Sequence, residues 1–214
     1  MTREQALMNM FKDMHNALGD SHWWPGDTPF EIMIGTVLVQ NTNWKNVEKA
    51  IANLKAAQIH TPQDMRNISA DDLAELIRPA GFFRVKTDRL QHVLRYLKSY
   101  NDDFDFLKTG SLHSRREELL AVKGIGPETA DSILLYALDF PVFVVDAYTK
   151  RMFNRHGMLP EDVFYPEMQD YFMDVLPADT KLFNEFHALI VRVGKEWCKK
   201  SRPLCSECPL SSYL

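Results

Sequence analysis

Apolar residues recur at three- and four-residue spacing along almost the whole chain. In 180–197, Leu182, Phe183, Phe186, Leu189, Ile190, Val193 and Trp197 fall on one face of a helix. The same periodicity predicts helices over 4–18, 30–39, 44–57, 71–77, 86–100, 115–122, 128–138 and 165–176. Proline and glycine fall between these segments, at Pro25-Gly26, Pro62, Pro79, Gly81, Gly110, Gly124, Gly126, Pro141, Gly157 and Pro160. Only Val142-Phe143-Val144-Val145 has the run of a strand. One short strand makes no sheet, so this run is better read as a buried lead into the next helix. The predicted fold class is all-α, without internal repeats or low-complexity tracts.

A chain of 214 residues can bury one large core or two small ones. Its N-terminal stretch is an amphipathic helix pattern without the apolar run and small-residue cleavage site of a signal peptide. No stretch approaches the roughly 18 apolar residues of a membrane span. A cytoplasmic protein is expected. The formal net charge is −4, which does not favour a polyanionic partner, but a sum hides the distribution. Segment 187–202 carries Arg192, Lys195, Lys199, Lys200 and Arg202 against Glu196, and segment 146–155 carries Lys150, Arg151 and Arg155 against Asp146. Acidic residues gather elsewhere, at Glu161, Asp162, Glu167, Asp170 and Asp174. Such separation suits an enzyme with one DNA-facing side; runs of this kind also occur as ordinary solvated helix faces.

The segment richest in chemistry is Leu119-Leu120-Ala121-Val122-Lys123-Gly124-Ile125-Gly126-Pro127-Glu128-Thr129-Ala130. An apolar helix end runs into Gly-Ile-Gly, and Pro127 suits the first turn of a new helix. Two glycines permit a tight hairpin whose N–H groups approach a partner closely. With a helix N-terminus behind them, these amides form a site for a DNA phosphate, which positions a protein on the backbone without reading sequence. A Gly-x-Gly between helices also serves as a plain corner. About twenty residues on, Phe143-Val144-Val145-Asp146-Ala147-Tyr148-Thr149-Lys150-Arg151 places a carboxylate at the start of a basic helix. Asp is a favoured N-cap; at a helix mouth it could also orient or deprotonate water and stabilise an oxocarbenium-like sugar.

Hairpin, helix and Asp146 together resemble the helix-hairpin-helix, Gly/Pro-rich, Asp superfamily of DNA glycosylases, whose best-known branch is endonuclease III. The likeness extends over nearly the whole chain. Phe30-Glu31-Ile32-Met33-Ile34-Gly35-Thr36-Val37-Leu38-Val39-Gln40-Asn41-Thr42 resembles the family's first barrel helix, which ends in a Gln that fills the gap left by a flipped base; that implies this role for Gln40. Gly81-Phe82-Phe83-Arg84-Val85-Lys86 resembles the loop of the wedge residue, which implies Phe82. Apolar side chains do enter base steps in distorted DNA. The resemblance implies a six-helix barrel domain over 23–136 that contains the hairpin, and a discontinuous second helical domain made of 1–22 and 137–214. The DNA-binding cleft would lie between them, with Asp146 at its mouth. It also implies a monomer bound to double-stranded DNA that contains damaged bases.

Two departures from endonuclease III matter. That branch has a Lys four residues after the first hairpin glycine, which forms a Schiff base with the sugar and permits strand cleavage. Here the place holds Glu128, and a carboxylate cannot form a Schiff base. Lys123 is near but precedes Gly124. Second, the family's cluster motif is C-x6-C-x2-C-x5-C. Cys198, Cys205 and Cys208 match the first three places, and the fourth is Leu214. A four-thiolate iron–sulfur cluster needs four thiolates. A cluster held by three ligands or completed from outside, a vacant site and a zinc-like substitute all stay open.

His22-Trp23-Trp24-Pro25 precedes the first barrel helix, and Trp44 follows Gln40 by four. With Val-Lys-Gly-Ile-Gly in the hairpin, this combination resembles the bacterial 3-methyladenine DNA glycosylase branch. There the matching residues form the base pocket, which implies Trp23, Trp24, Pro25 and Trp44 here. N3-alkylated purine nucleotides are cationic, and a π-rich pocket attracts a cation by about 0.5–2 kcal/mol beyond stacking. These tryptophans could also be plain core aromatics. The function expected is removal of alkylated bases without strand cleavage. Alternatives are adenine removal opposite 8-oxoguanine, a lyase using another Lys, and a DNA-binding module without turnover.

Overall fold

A computed structural model describes all residues, 1–214. It is helical throughout, with no strand, and no helix is long and apolar enough to cross a membrane. The chain divides into two compact units. One is Met1–Trp24 with Pro141–Leu214, and the other is Pro25–Phe140.

Helix α1 (Arg3–Leu18) opens the first unit. Thr2 and Gln5 form a reciprocal capping box, and Leu7, Met10 and Met14 make its buried stripe. The N–H of Gly19 closes the last turn on the His15 carbonyl at 2.7 Å.

The second unit begins with α2 (Pro29–Leu38), capped by Thr28 with Pro29 in its first turn. Seven of its ten residues are buried, so it is the central helix of this unit. It is followed by α3 (Trp44–Ala56), α4 (Pro62–Asn67) and α5 (Ala70–Leu76), capped by Asn43, Thr61 and Ser69. A 3-10 turn, Arg78–Ala80, leads into α6 (Phe83–Ser99). Then come α7 (Phe104–Leu107), α8 (Leu112–Ala121) and α9 (Pro127–Ser132). Without a break α9 widens into a π-turn over Ile133–Ala137, all of it buried, closed by the Leu138 N–H on the Ile133 carbonyl at 3.1 Å.

The chain then returns to the first unit. Val142–Val145 is extended, buried and unpaired with any strand. The Phe143 carbonyl is satisfied by Gln169 Nε2 at 2.8 Å, and the Phe143 ring stacks on Phe172 at 4.1 Å. It leads into α10 (Ala147–Arg155), α11 (Tyr165–Met173) and α12 (Thr180–Glu196). Gly194 lets α12 meet α10: a Cβ there would collide with the Tyr148 ring.

The units part at 24/25 and 140/141, a few residues beyond the expected 22/23 and 136/137. The shift has local causes. Ser21 donates to the Glu185 carboxylate through its N–H (2.9 Å) and hydroxyl (2.7 Å), and Lys195 lies 5.9 Å from the Trp23 ring centre, so the stretch before Pro25 stays with α12. At the other junction the Phe140 N–H bonds the Leu134 carbonyl at 2.9 Å, which fastens 138–140 to the end of the second unit.

Candidate functional site

Asp146 is the N-cap of α10. Its Oδ1 accepts from the Thr149 N–H at 2.8 Å and from the Thr149 hydroxyl at 3.0 Å, and the hydroxyl accepts in turn from the Asp146 N–H at 3.3 Å. Capping uses one oxygen. The other, Oδ2, lies 3.6 Å from Nε2 of His187, and both side chains are largely buried. Burial alone would push the Asp146 pKa up. The imidazole opposite Oδ2 and the two Thr149 donors on Oδ1 outweigh it and hold the carboxyl below its ordinary value. Asp146 is thus a buried, ionised carboxylate with one oxygen free of the helix cap. His187 carried no local signal in the sequence, because it stands on the apolar face of α12 beside Phe186 and Leu189.

In the second unit, residues 122–127 form a tight connection between α8 and α9. The Ile125 N–H closes it on the Val122 carbonyl at 3.0 Å. Gly124 takes φ +93°, and a Cβ there would stand 2.5 Å from the Arg89 stem, so both backbone conformation and close approach call for glycine. Gly126 caps α9 and is open to solvent on the side a Cβ would take. Ile125 is buried between them. Glu128 and Lys123 are both exposed, Glu128 in the first turn of α9.

The structure brings Gln40 to this hairpin. Its Nε2 donates to the Gly124 carbonyl at 3.2 Å and to the Thr129 hydroxyl at 2.9 Å, while Arg89 donates to its Oε1. Arg89 and Thr129 therefore join the two elements, which the sequence alone did not reveal. Phe82 is 69% exposed and held at φ +44° after Gly81 at φ +70°. A large apolar side chain in left-handed backbone, turned to solvent, costs free energy that its surroundings must offset.

Of the expected pocket residues, Trp23 and Trp24 belong to the first unit, and Pro25 and Trp44 to the second. The Trp23 and Trp24 rings meet edge to face at 5.0 Å. Trp23 already carries a cation, Lys195. All three tryptophans are part-exposed, and Pro25 is exposed.

Cys198, Cys205 and Cys208 line one cavity of the first unit together with Leu214. No three His, Cys, Asp or Glu side chains are drawn into a single-ion site. Arg155 Nη1 donates to Cys198 Sγ at 3.3 Å, and the Leu210 N–H points at Cys208 Sγ at 3.5 Å. Burial pushes the Cys208 thiol up, and the neighbouring Cys198 and Cys205 add to this against the Leu210 N–H. A cationic cluster in the cavity would reverse that balance. Three thiols converging on a cavity, with N–H donors aimed at two of the sulfurs, fit a thiolate-held cluster at three corners; the Leu214 side chain offers no donor for the fourth.

A buried carboxylate at the N-terminus of α10 and a glycine hairpin ahead of α9 are the two features on which the sequence resemblance rests. Residues 34–178 match the HhH-GPD superfamily of base excision DNA repair proteins, and the chain belongs to that superfamily as a DNA glycosylase acting on DNA. A Methanocaldococcus jannaschii protein named provisionally as a DNA repair glycosylase is 43% identical over 211 residues, covering 98% of this chain and 96% of its own. The crystal structure of Helicobacter pylori 3-methyladenine DNA glycosylase bound to 1,N6-ethenoadenine matches with a TM-score of 0.78 at 30% identity, over 92% of this chain and 98% of that one. A trapped endonuclease III–DNA covalent intermediate matches with a TM-score of 0.82 at 25% identity, over 100% and 96%.

Proposed function

We propose that this glycosylase is monofunctional and removes alkylated bases such as 3-methyladenine, with Asp146 as its catalytic carboxylate. The observation that carries the proposal is the electrostatic state of Asp146: buried, held ionised by His187 and Thr149, with Oδ2 outside the helix cap. An oxocarbenium-like sugar is stabilised by such a fixed negative charge. When the glycosidic bond breaks, its electron pair goes to the departing base, which turns from cation to neutral molecule and so needs no strong general acid. Water adds to the sugar carbon and gives its proton to the carboxylate. Glu128 supplies no amine for a Schiff base. The Helicobacter pylori relative, named for 3-methyladenine, supports the alkylated-base class.

In this reading Trp23, Trp24, Pro25 and Trp44 face the base, Gln40 and Phe82 enter the duplex, and the Gly124-Ile125-Gly126 amides hold a phosphate. The enzyme acts as a monomer. Cys198, Cys205 and Cys208 are the residues that would hold an iron–sulfur cluster, at three of its corners, and the group would supply structural cross-linking rather than a step in the excision.

Excision is tested on duplexes containing 3-methyladenine, 7-methylguanine, hypoxanthine, thymine glycol, or adenine opposite 8-oxoguanine. The alkylpurines should be released fastest, leaving an abasic strand that breaks only with alkali or heat. Borohydride should not trap the enzyme on DNA. Efficient trapping, or equal release of thymine glycol, would overturn the proposal. Protein purified anaerobically for the same assay should contain iron and be brown, with colour lost in Cys205→Ser.

A further inference from the structure

Lys86 lies in the first turn of α6 and is 1% exposed. Lysine seldom tolerates that burial without compensation. Its Nζ donates to the Ala80 carbonyl at 2.7 Å and to the Leu38 carbonyl at 2.9 Å. Both acceptors are ends. Leu38 is the last residue of α2, two before Gln40, and Ala80 closes the 3-10 turn, two before Phe82. Carbonyls at such ends lack intrahelical partners and carry partial negative charge, which an ammonium meets well. One buried cation therefore fastens the roots of the two loops whose tips carry Gln40 and Phe82. The same helix reaches Gln40 again one turn on, through Arg89. The left-handed backbone at Phe82 needs such an external hold, since a φ of +44° is unfavourable for a bulky residue, whereas Gly81 adopts its positive φ freely.

We propose that Lys86 is a positioning residue for base extrusion. It fixes the Gln40 loop relative to the Phe82 loop, so that gap filling and wedging happen as one event. This rests on the insertion roles given above to Gln40 and Phe82. A methionine has nearly the length of lysine but bonds neither carbonyl, so it would leave the helix and free the two loops from one another.

The test compares Lys86→Met, Phe82→Ala and the double variant. Each is followed by thermal melting, affinity for undamaged duplex and single-turnover excision of the best substrate in the panel. Extrusion is followed by fluorescence of 2-aminopurine placed opposite a tetrahydrofuran abasic analogue. Lys86→Met should melt cooperatively and bind undamaged duplex within about twofold of wild type, because the hairpin is untouched. Its 2-aminopurine rise should be lost, and excision should slow on the order of tenfold or more, as small misplacements do. The double variant should be no slower than the slower single variant. Wild-type fluorescence and excision in Lys86→Met, or losses that simply multiply in the double variant, would overturn the proposal. If Lys86→Met does not fold, Lys86→Gln, which keeps one donor group, is read by the same criteria. A wild-type 2-aminopurine rise in Phe82→Ala would instead remove the wedge role on which the inference rests.

Discussion

Two buried ionisable side chains show how single residues carry the site, and both make stability rise with pH. Asp146 has its pKa depressed below the ordinary 3.8. The stability this contributes is fully present above that value and is lost as pH falls through the lower, folded one. Lys86 has its pKa lowered by burial, with Arg89 adding to it, from 10.5 to about 8. Between those values the unfolded chain binds the extra proton, so stability rises as pH climbs through this window. Lys86→Met should flatten the rise above pH 8 in chemical-denaturation measurements, and Asp146→Asn should blunt the loss in acid. An Asn keeps the size of Asp146 and much of its capping ability, so this variant should fold and bind damaged duplex. Its excision should fall on the order of a hundredfold or more, the usual loss for an electrostatic group aimed at a transition state. Near-normal excision would reduce Asp146 to a helix cap. The position of Asp146 was legible because an apolar run ends there and a basic helix begins. His187 and Lys86 were not: one hides in an apolar stripe, and the other looks like a solvated first-turn lysine until the folded carbonyls of Leu38 and Ala80 appear beside it.

At the scale of elements, helix periodicity was readable wherever a helix was long enough to repeat its apolar positions, as in α1, α3, α6 and α12. The short α4 and α7, of 6 and 4 residues, have too few turns to show a period, and neither was predicted; their caps Thr61 and Asp103 become evident only in the structure. The π-widening after α9 has no sequence signature, since it depends on how Ile133–Ala137 packs. Apolar residues at 142–145 are as compatible with a strand as with an extended lead, and the absence of a second strand decided it. The hairpin was legible as Gly-Ile-Gly, but its tie to Gln40 through Arg89 and Thr129 joins residues more than 40 apart in the chain. Its two glycines should respond differently to substitution. Gly124→Ala puts a Cβ into left-handed backbone and against Arg89, costing about 1–2 kcal/mol from the backbone alone. Gly126 has extended φ and open space around a Cβ, so Gly126→Leu should fold and melt only slightly below the wild type, by what the poorer helix N-cap costs, about 1 kcal/mol or less. It should nevertheless weaken binding to damaged and undamaged duplexes alike, because a phosphate anchor reads no base. Unchanged affinity in a folded Gly126→Leu would take the hairpin out of DNA binding.

At the scale of the whole molecule, a net charge of −4 must be reconciled with a DNA partner. The basic segments are less available than their sum suggests. Arg192 spends its guanidinium on the Leu18 and Gly19 carbonyls at the end of α1. Arg151 binds the Cys198 and Gly194 carbonyls, and Arg155 binds those of Lys199 and Lys200. Lys150 reaches the Val163 carbonyl, and Lys195 lies over Trp23. These side chains brace the cysteine loop and the helices behind Asp146, whereas Lys199, Lys200 and Arg202 extend from that loop into solvent. Affinity for duplex should therefore depend on salt through the second group. Each phosphate neutralised by a Lys or Arg adds about 0.9 to the slope of log K against log salt concentration. Replacing Lys199, Lys200 and Arg202 by Gln should lower that slope by roughly 1 for each phosphate no longer neutralised, for damaged and undamaged DNA equally, with the melting temperature unchanged. Arg155→Gln should do the reverse, lowering the melting temperature through the freed Lys199 and Lys200 carbonyls while leaving the slope nearly as it was. A slope unaffected by the triple substitution would mean that the cysteine loop stays off the DNA and that other parts of the chain supply the positive charge.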